Sequence, residues 1–134
     1  MDTRTAHLDE LPPRGGPVAG EAEWRAIRHH FGISAFGVNA WIGRQAGDEV
    51  IEDHDERSGG AAGHEELYVV LEGEATFTVD GRDIDGRPGT LIHVPDPGVR
   101  RKAVARTAGA TVLAIGGAPG SFDVSPWERK YDES

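Results

Sequence analysis

The sequence predicts an all-β domain, a barrel or sandwich of short antiparallel strands. Three observations predict it. Gly 19 and Pro 8, about a fifth of the 134 residues, are spread as punctuation rather than gathered into low complexity. Between them lie short apolar or alternating runs with turn signals every 6 to 12 residues, the spacing of hairpin-built folds. No run has the length and 3.6-residue period of a long helix.

Each element follows from local chemistry. Residues 1–23 read as an N-terminal arm, because Leu11-Pro-Pro-Arg-Gly-Gly-Pro17 supplies too few N–H donors for a helix or a central strand. Trp24 to Phe31 fits either a helical period or an extended strand, and a strand is preferred. Ile33 to Ile42 alternates and reads as a strand. Val50-Ile51 opens another. Ser58-Gly-Gly-Ala-Ala-Gly63 is a flexible loop. The clearest strand is His64 to Glu72, rich in β-branched and aromatic residues, broken by Gly73. Glu74 to Val79 and Arg82 to Asp85 flank Asp80-Gly81, a hairpin signal. Thr90 to Val94, Val99 to Arg106 and Thr111 to Ile115 complete the set. The domain is expected over 24–120, with a C-terminal tail at 121–134. No linker separates two cores, and the length suits one.

Composition narrows the function. Cysteine is absent, which leaves no disulfide, thiolate metal site or cysteine nucleophile. A metal would have to be held by His and carboxylate. The formal net charge of −9 repels phosphate backbones, so no nucleic-acid partner is expected. No apolar run approaches the ~20 residues of a membrane span, and Met1 to Glu10 lacks the apolar core of a signal peptide. The chain is expected to be cytoplasmic, with no membrane partner.

The residues from Gly47 to Gly73 and from Gly89 to Arg101 resemble the two motifs of the cupin family. The first motif runs G-x5-H-x-H-x3,4-E-x6-G. Here Gly47 is followed by His54, Glu56, Glu66 and, after six residues, Gly73, with Glu65-Glu-Leu-Tyr-Val-Val-Leu-Glu-Gly-Glu74 its most typical stretch. The second runs G-x5-P-x-G-x2-H-x3-N. Here Gly89 precedes Pro95 by five residues, and Gly98 follows one place late. The resemblance spans about 33–116 and implies a single-domain cupin β-barrel (jelly roll) and a homodimer. The departures bear on chemistry. The motif's second His is Glu56, nine residues separate Glu56 from Glu66, and the second-motif His falls on Arg100 or Arg101.

Alternation along strands gives a separate reading of the pocket. If Glu66 points inward, so do His64, Tyr68 and Val70, while Leu67, Val69 and Leu71 face the other way. His54 and Glu56 share a face. His54, Glu56, His64 and Glu66 are thus candidate ligands for a divalent ion (Fe, Mn, Zn, Ni or Co), which imidazole and carboxylate suit. Glu56 is a candidate general base and Tyr68 a candidate acid or hydrogen-bond donor. Arg100, Arg101 and His93 are candidate substrate contacts, an Arg for an anionic group or for Glu66. The opposing reading of each is plain: an acidic loop, a basic edge Arg100-Arg-Lys102, a strand His satisfied by its neighbours. Trp41 and Trp127 read as packing or interface anchors.

Two functions, and a purely structural dimer that binds no ligand, are compatible with this pattern. One is a metal-dependent enzyme acting on a small polar molecule inside the barrel, a dioxygenase, isomerase or relative. The other is a metal-free cupin that binds or senses a small molecule without catalysis.

Overall fold

A computed structural model describes residues 3–15 and 20–132; the arm's Gly16 and Pro17 lie outside the described residues. Among the described residues nine strands are formed: β1 (Glu23–Arg25), β2 (Gly37–Ile42), β3 (Glu49–His54), β4 (Glu65–Glu72), β5 (Ala75–Val79), β6 (Arg82–Gly86), β7 (Leu91–Val94), β8 (Arg101–Ala105) and β9 (Thr111–Gly117). Among the described residues they are accompanied by a 3-10 helix at Leu8–Glu10 and two short α-helices, α1 (Ile27–Phe31) and α2 (Pro126–Asp132). The strands form a five-stranded sheet, order β1-β2-β9-β4-β7, and a four-stranded sheet, order β3-β8-β5-β6. All strand pairs are antiparallel.

The all-β barrel expected from the sequence is what forms. Two elements differ from expectation. Trp24 to Phe31 is not one strand: β1 ends at Arg25 and α1 follows. Gly32 then stops the helix in the left-handed region, φ 69°, its N–H bonding back to Arg28 and His29, as helix-ending glycines do. The strand expected from Ile33 begins only at Gly37. The tail carries α2, whose Trp127 and Tyr131 are exposed. The Asp80-Gly81 turn has positive φ at both residues, 51° and 77°, the geometry of a type I′ hairpin.

The arm is docked rather than loose where it is described. Leu11 is buried, and Arg14 exchanges backbone hydrogen bonds with Trp24 at 2.9 and 3.0 Å, capping the free edge of β1.

The inward faces divide the barrel in two along its length. On β4, Glu66, Tyr68 and Val70 point inward in succession. On β8, Arg101, Ala103 and Ala105 do the same, all buried. Val70, Phe77, Val112, Ala103 and Ala105 fill one end with apolar atoms. The other end begins at Tyr68, which packs its ring against Phe77 at 5.9 Å between centroids, and becomes polar. The opposite face of β4 is less covered than expected for a packing surface: Leu67 and Val69 are half-buried and Leu71 is exposed.

Candidate functional site

The polar end holds a cavity of about 400 Å³. His54, Glu56, His64, Glu66 and Tyr68 line it, with Asn39 and Trp41 of β2, Glu52 of β3, Ala114 and Gly116 of β9 and Arg28 of α1.

His54 reaches the cavity through an irregularity in β3. The β3–β8 register pairs Glu49 with Val104, Ile51 with Ala103 and His54 with Arg101, with an extra β3 residue in each interval. Strict alternation from the buried Ile51 would send His54 outward. The extra residue re-aims it, as bulges do beside many sites.

Glu56 is fixed by backbone. Its N–H donates to Pro97 O at 2.7 Å, and its carbonyl accepts from Gly63 N at 2.8 Å. The glycine-rich insert therefore leaves and returns at the same point. Asp55 starts the excursion by accepting from the N–H groups of Arg57 and Ser58 at 2.9 and 2.7 Å; these bonds hold its carboxyl below the usual range. The nine-residue gap separates Glu56 from Glu66 in sequence but not in space.

The side chains form one ionic cluster. His54 Nε2 lies 2.9 Å from Glu56 Oε2 and 3.8 Å from Glu66 Oε1, and His54 Nδ1 lies 2.6 Å from Glu52 O. Both ring nitrogens face acceptors, the environment of an imidazolium. The Glu66 carboxylate, the Glu52 carbonyl and the Glu56 carboxylate outweigh partial burial and push the His54 pKa up to about 9. His64 Nδ1 stands 3.8 Å from Glu56 Oε1. The Tyr68 hydroxyl donates to Glu66 Oε1. Burial, and the neighbouring Glu66 carboxylate, push the Tyr68 phenol far above its ordinary value. Burial acts to raise the Glu66 carboxyl, but His54, Tyr68 and Arg101 together hold it below the usual range.

Arg101 lies beneath the cluster. Its side chain has no solvent exposure, and its guanidinium Nη1 is 3.2 Å from Glu66 Oε1 and 4.0 Å from Glu56 Oε2. Nη2 donates to Asp96 O at 3.3 Å.

Of the residues singled out from sequence, His54, Glu56, His64, Glu66, Tyr68 and Arg101 come together. Arg100 and His93 do not. Arg100 is exposed and pairs with Asp53 at 3.1 Å. His93 is on the outer face of β7, 2.6 Å from Glu65. Trp41 combines two roles, stacking on Trp24 at 5.3 Å and forming cavity wall. Asn39, Arg28 and Glu52 were not singled out. Asn39 and Trp41 are two apart on β2, a period-two signal that points nowhere until the strand's inner face is known.

Among the described residues, His54, Glu56 and Glu66 are the one group able to offer three metal-ligand atoms within 4.8 Å of one another. The donor types suit a divalent ion, but their present bonds do not. Glu66 Oε1 already takes Tyr68 and Arg101, and Glu56 Oε2 already takes His54. Glu56 and Glu66 thus face the His54 imidazole and the Arg101 guanidinium. A divalent ion at these atoms would have to displace the His54–Glu56 contact and share Glu66 with Arg101.

The comparisons with known proteins agree with the fold. The family model for the cupin domain matches residues 59–116, which includes Glu66 and Arg101 and begins after His54 and Glu56. A structure described as a sugar phosphate isomerase of the cupin superfamily from Silicibacter pomeroyi has a TM-score of 0.66 at 22% identity, covering 84% of this chain and 74% of that one. An RmlC-like cupin from Shewanella frigidimarina has 0.61 at 18%, covering 91% and 97%. A predicted oxalate decarboxylase from Thermotoga maritima has 0.65 at 15%, covering 84% and 97%. At these identities the likeness is one of fold. Comparison with curated proteins gives no match.

Proposed function

We propose that the chain, which has the cupin fold and matches the cupin-domain model over residues 59–116, is a small single-domain cupin that binds a small polar molecule inside the barrel without a resident metal. The observation that carries this reading is the charge-balanced cluster at the inner end of the cavity, where Glu56 and Glu66 are already paired with His54 and Arg101. Such a floor presents fixed donors and acceptors to a ligand and needs no added cation. Buried carboxylates without partners would be costly; these have partners built in.

Each residue has a part in this reading. Glu56 and the free oxygen of Glu66 accept hydrogen bonds from the ligand. His54, with its pKa near 9, carries a proton at neutral pH and orients Glu56 through their 2.9 Å contact. His64 sits beside Glu56 as a further polar contact. Trp41 supplies an apolar wall, and Arg28 and Asn39 offer donors to the ligand's outer end. Arg101 acts through Glu66 and Glu56 and does not itself line the cavity. The names of the structural neighbours, an isomerase and a predicted decarboxylase, are in keeping with a small polar ligand in this place. A proton held between His54 and two carboxylates is also the equipment of acid–base chemistry. The homodimer and the cytoplasmic location stay part of this proposal. No helix among the described residues is long and apolar enough to cross a membrane.

The second reading, a metal-dependent enzyme, is favoured by the convergence of His54, Glu56 and Glu66. Elemental analysis of untagged protein separates the two. Metal near one ion per chain, lost in His54→Ala, sinks the metal-free reading. A metabolite screen by thermal shift then tests the binding reading itself. A hit retained by Arg100→Ala and His93→Ala but lost in Glu56→Gln supports it; a hit indifferent to Glu56→Gln places the ligand elsewhere.

A further inference from the structure

The geometry points to Arg101 as a built-in counter-cation that keeps divalent metal off a latent metal site, so that this one side chain decides between metal-free and metal-binding chemistry. The inference rests on the metal-free reading above and adds to it the residue responsible.

Arg101 and His54 are direct cross-strand partners in the β3–β8 register. Side chains so placed share a face and reach into the same space. What Arg101 puts there is a permanent positive charge, since a guanidinium does not lose its proton in proteins. Nη1 is 3.2 Å from Glu66 Oε1 and 4.0 Å from Glu56 Oε2. A divalent ion would need those same two carboxylates. It would sit within a few ångströms of a cation that has no solvent exposure to screen the repulsion. Arg101 cannot swing away cheaply, because Asp96 O and Glu66 hold it from two sides and it lies in phase with the buried Ala103 and Ala105.

Everything else a metal needs is present. One imidazole and two carboxylates offer atoms within 4.8 Å of one another, and His64 stands 3.8 Å from Glu56. An imidazole at position 101 would replace the repelling charge by a fourth donor directly across from His54.

The test compares the parent, Arg101→His, Arg101→Gln and the double variant Arg101→His/His54→Ala, all as the full chain. Each is mixed with Co(II) and with Zn(II). The readouts are visible d–d absorption for cobalt, elemental content after desalting, and the melting temperature with and without metal. The parent is expected to stay empty, with no metal-dependent change in melting. Arg101→His is expected to take up near-stoichiometric metal with a cobalt spectrum of nitrogen and oxygen ligation. Adding His54→Ala should weaken that uptake by roughly tenfold or more. Arg101→Gln loses the pairing of Glu66 and is expected to melt lower, with divalent metal restoring part of the loss.

A folded Arg101→His that binds no metal overturns the inference while leaving the metal-free reading intact. Near-stoichiometric metal in the parent, dependent on His54, overturns both. If Arg101→His does not fold, Arg101→Gln decides: failure of metal to raise its melting temperature, or to refold it, overturns the inference.

Discussion

Arg101 and His54 are neighbours across β8 and β3, and both approach the same two carboxylates. His54 takes Glu56 at 2.9 Å and Arg101 takes Glu66 at 3.2 Å. One of these cations is permanent and buried. The other titrates and is partly open to the cavity.

Removing the permanent cation strands a carboxylate. Arg101→Ala leaves Glu66 and Glu56 without their buried partner and is expected to cost about 3–5 kcal/mol. Arg100→Ala, which breaks only an exposed pair with Asp53, is expected to cost less than about 1 kcal/mol. Urea denaturation of the two variants checks the contrast.

The titrating cation makes stability depend on pH. The folded protein raises the His54 pKa from 6.5 to about 9, so it binds that proton more tightly than the unfolded chain. The stabilisation is complete below about pH 6.5 and is lost as pH rises through about 9. A melting temperature that falls by roughly 3–6 °C over that window is expected, the modest size reflecting solvent screening of a half-open ring. His54→Gln should flatten the profile.

Tyr68→Phe removes one donor from Glu66 and keeps the ring against Phe77. It is expected to cost about 1–2 kcal/mol. The Glu66 carboxyl should titrate at higher pH in the variant, which carboxyl carbon-13 NMR resolves. An unchanged Glu66 titration would show that Arg101 and His54 alone hold it down.

Two glycines test the backbone that frames the barrel. At Gly73 φ is +63°, and a Cβ would lie 2.7 Å from Thr107 Oγ1 and 2.8 Å from Ala110 Cα. Gly59 has the same φ in the glycine-rich insert with nothing within 4 Å. Gly73→Ala is expected to lose more than about 2 kcal/mol and Gly59→Ala about 1 kcal/mol, measured by chemical denaturation.

The sequence by itself determined the barrel. Glycine and proline punctuation, the Asp80-Gly81 turn and the alternation of Glu66, Tyr68 and Val70 are local, and local chemistry is legible. Alternation placed His64, Glu66 and Tyr68 on one face because β4 is regular up to Val70 and His64 directly precedes it. Tertiary structure decided the rest. Arg100 and Arg101 are neighbours with the same charge, and only the β8 register puts one under the cluster and the other in solvent. His54 faces the cavity because β3 carries extra residues that no period reveals. Glu56 meets Glu66 because hydrogen bonds from Gly63 and to Pro97 close the insert. The ligand types of a metal site are likewise written in the chain, whereas the 3.2 Å approach of the Arg101 guanidinium to Glu66 is set by the fold.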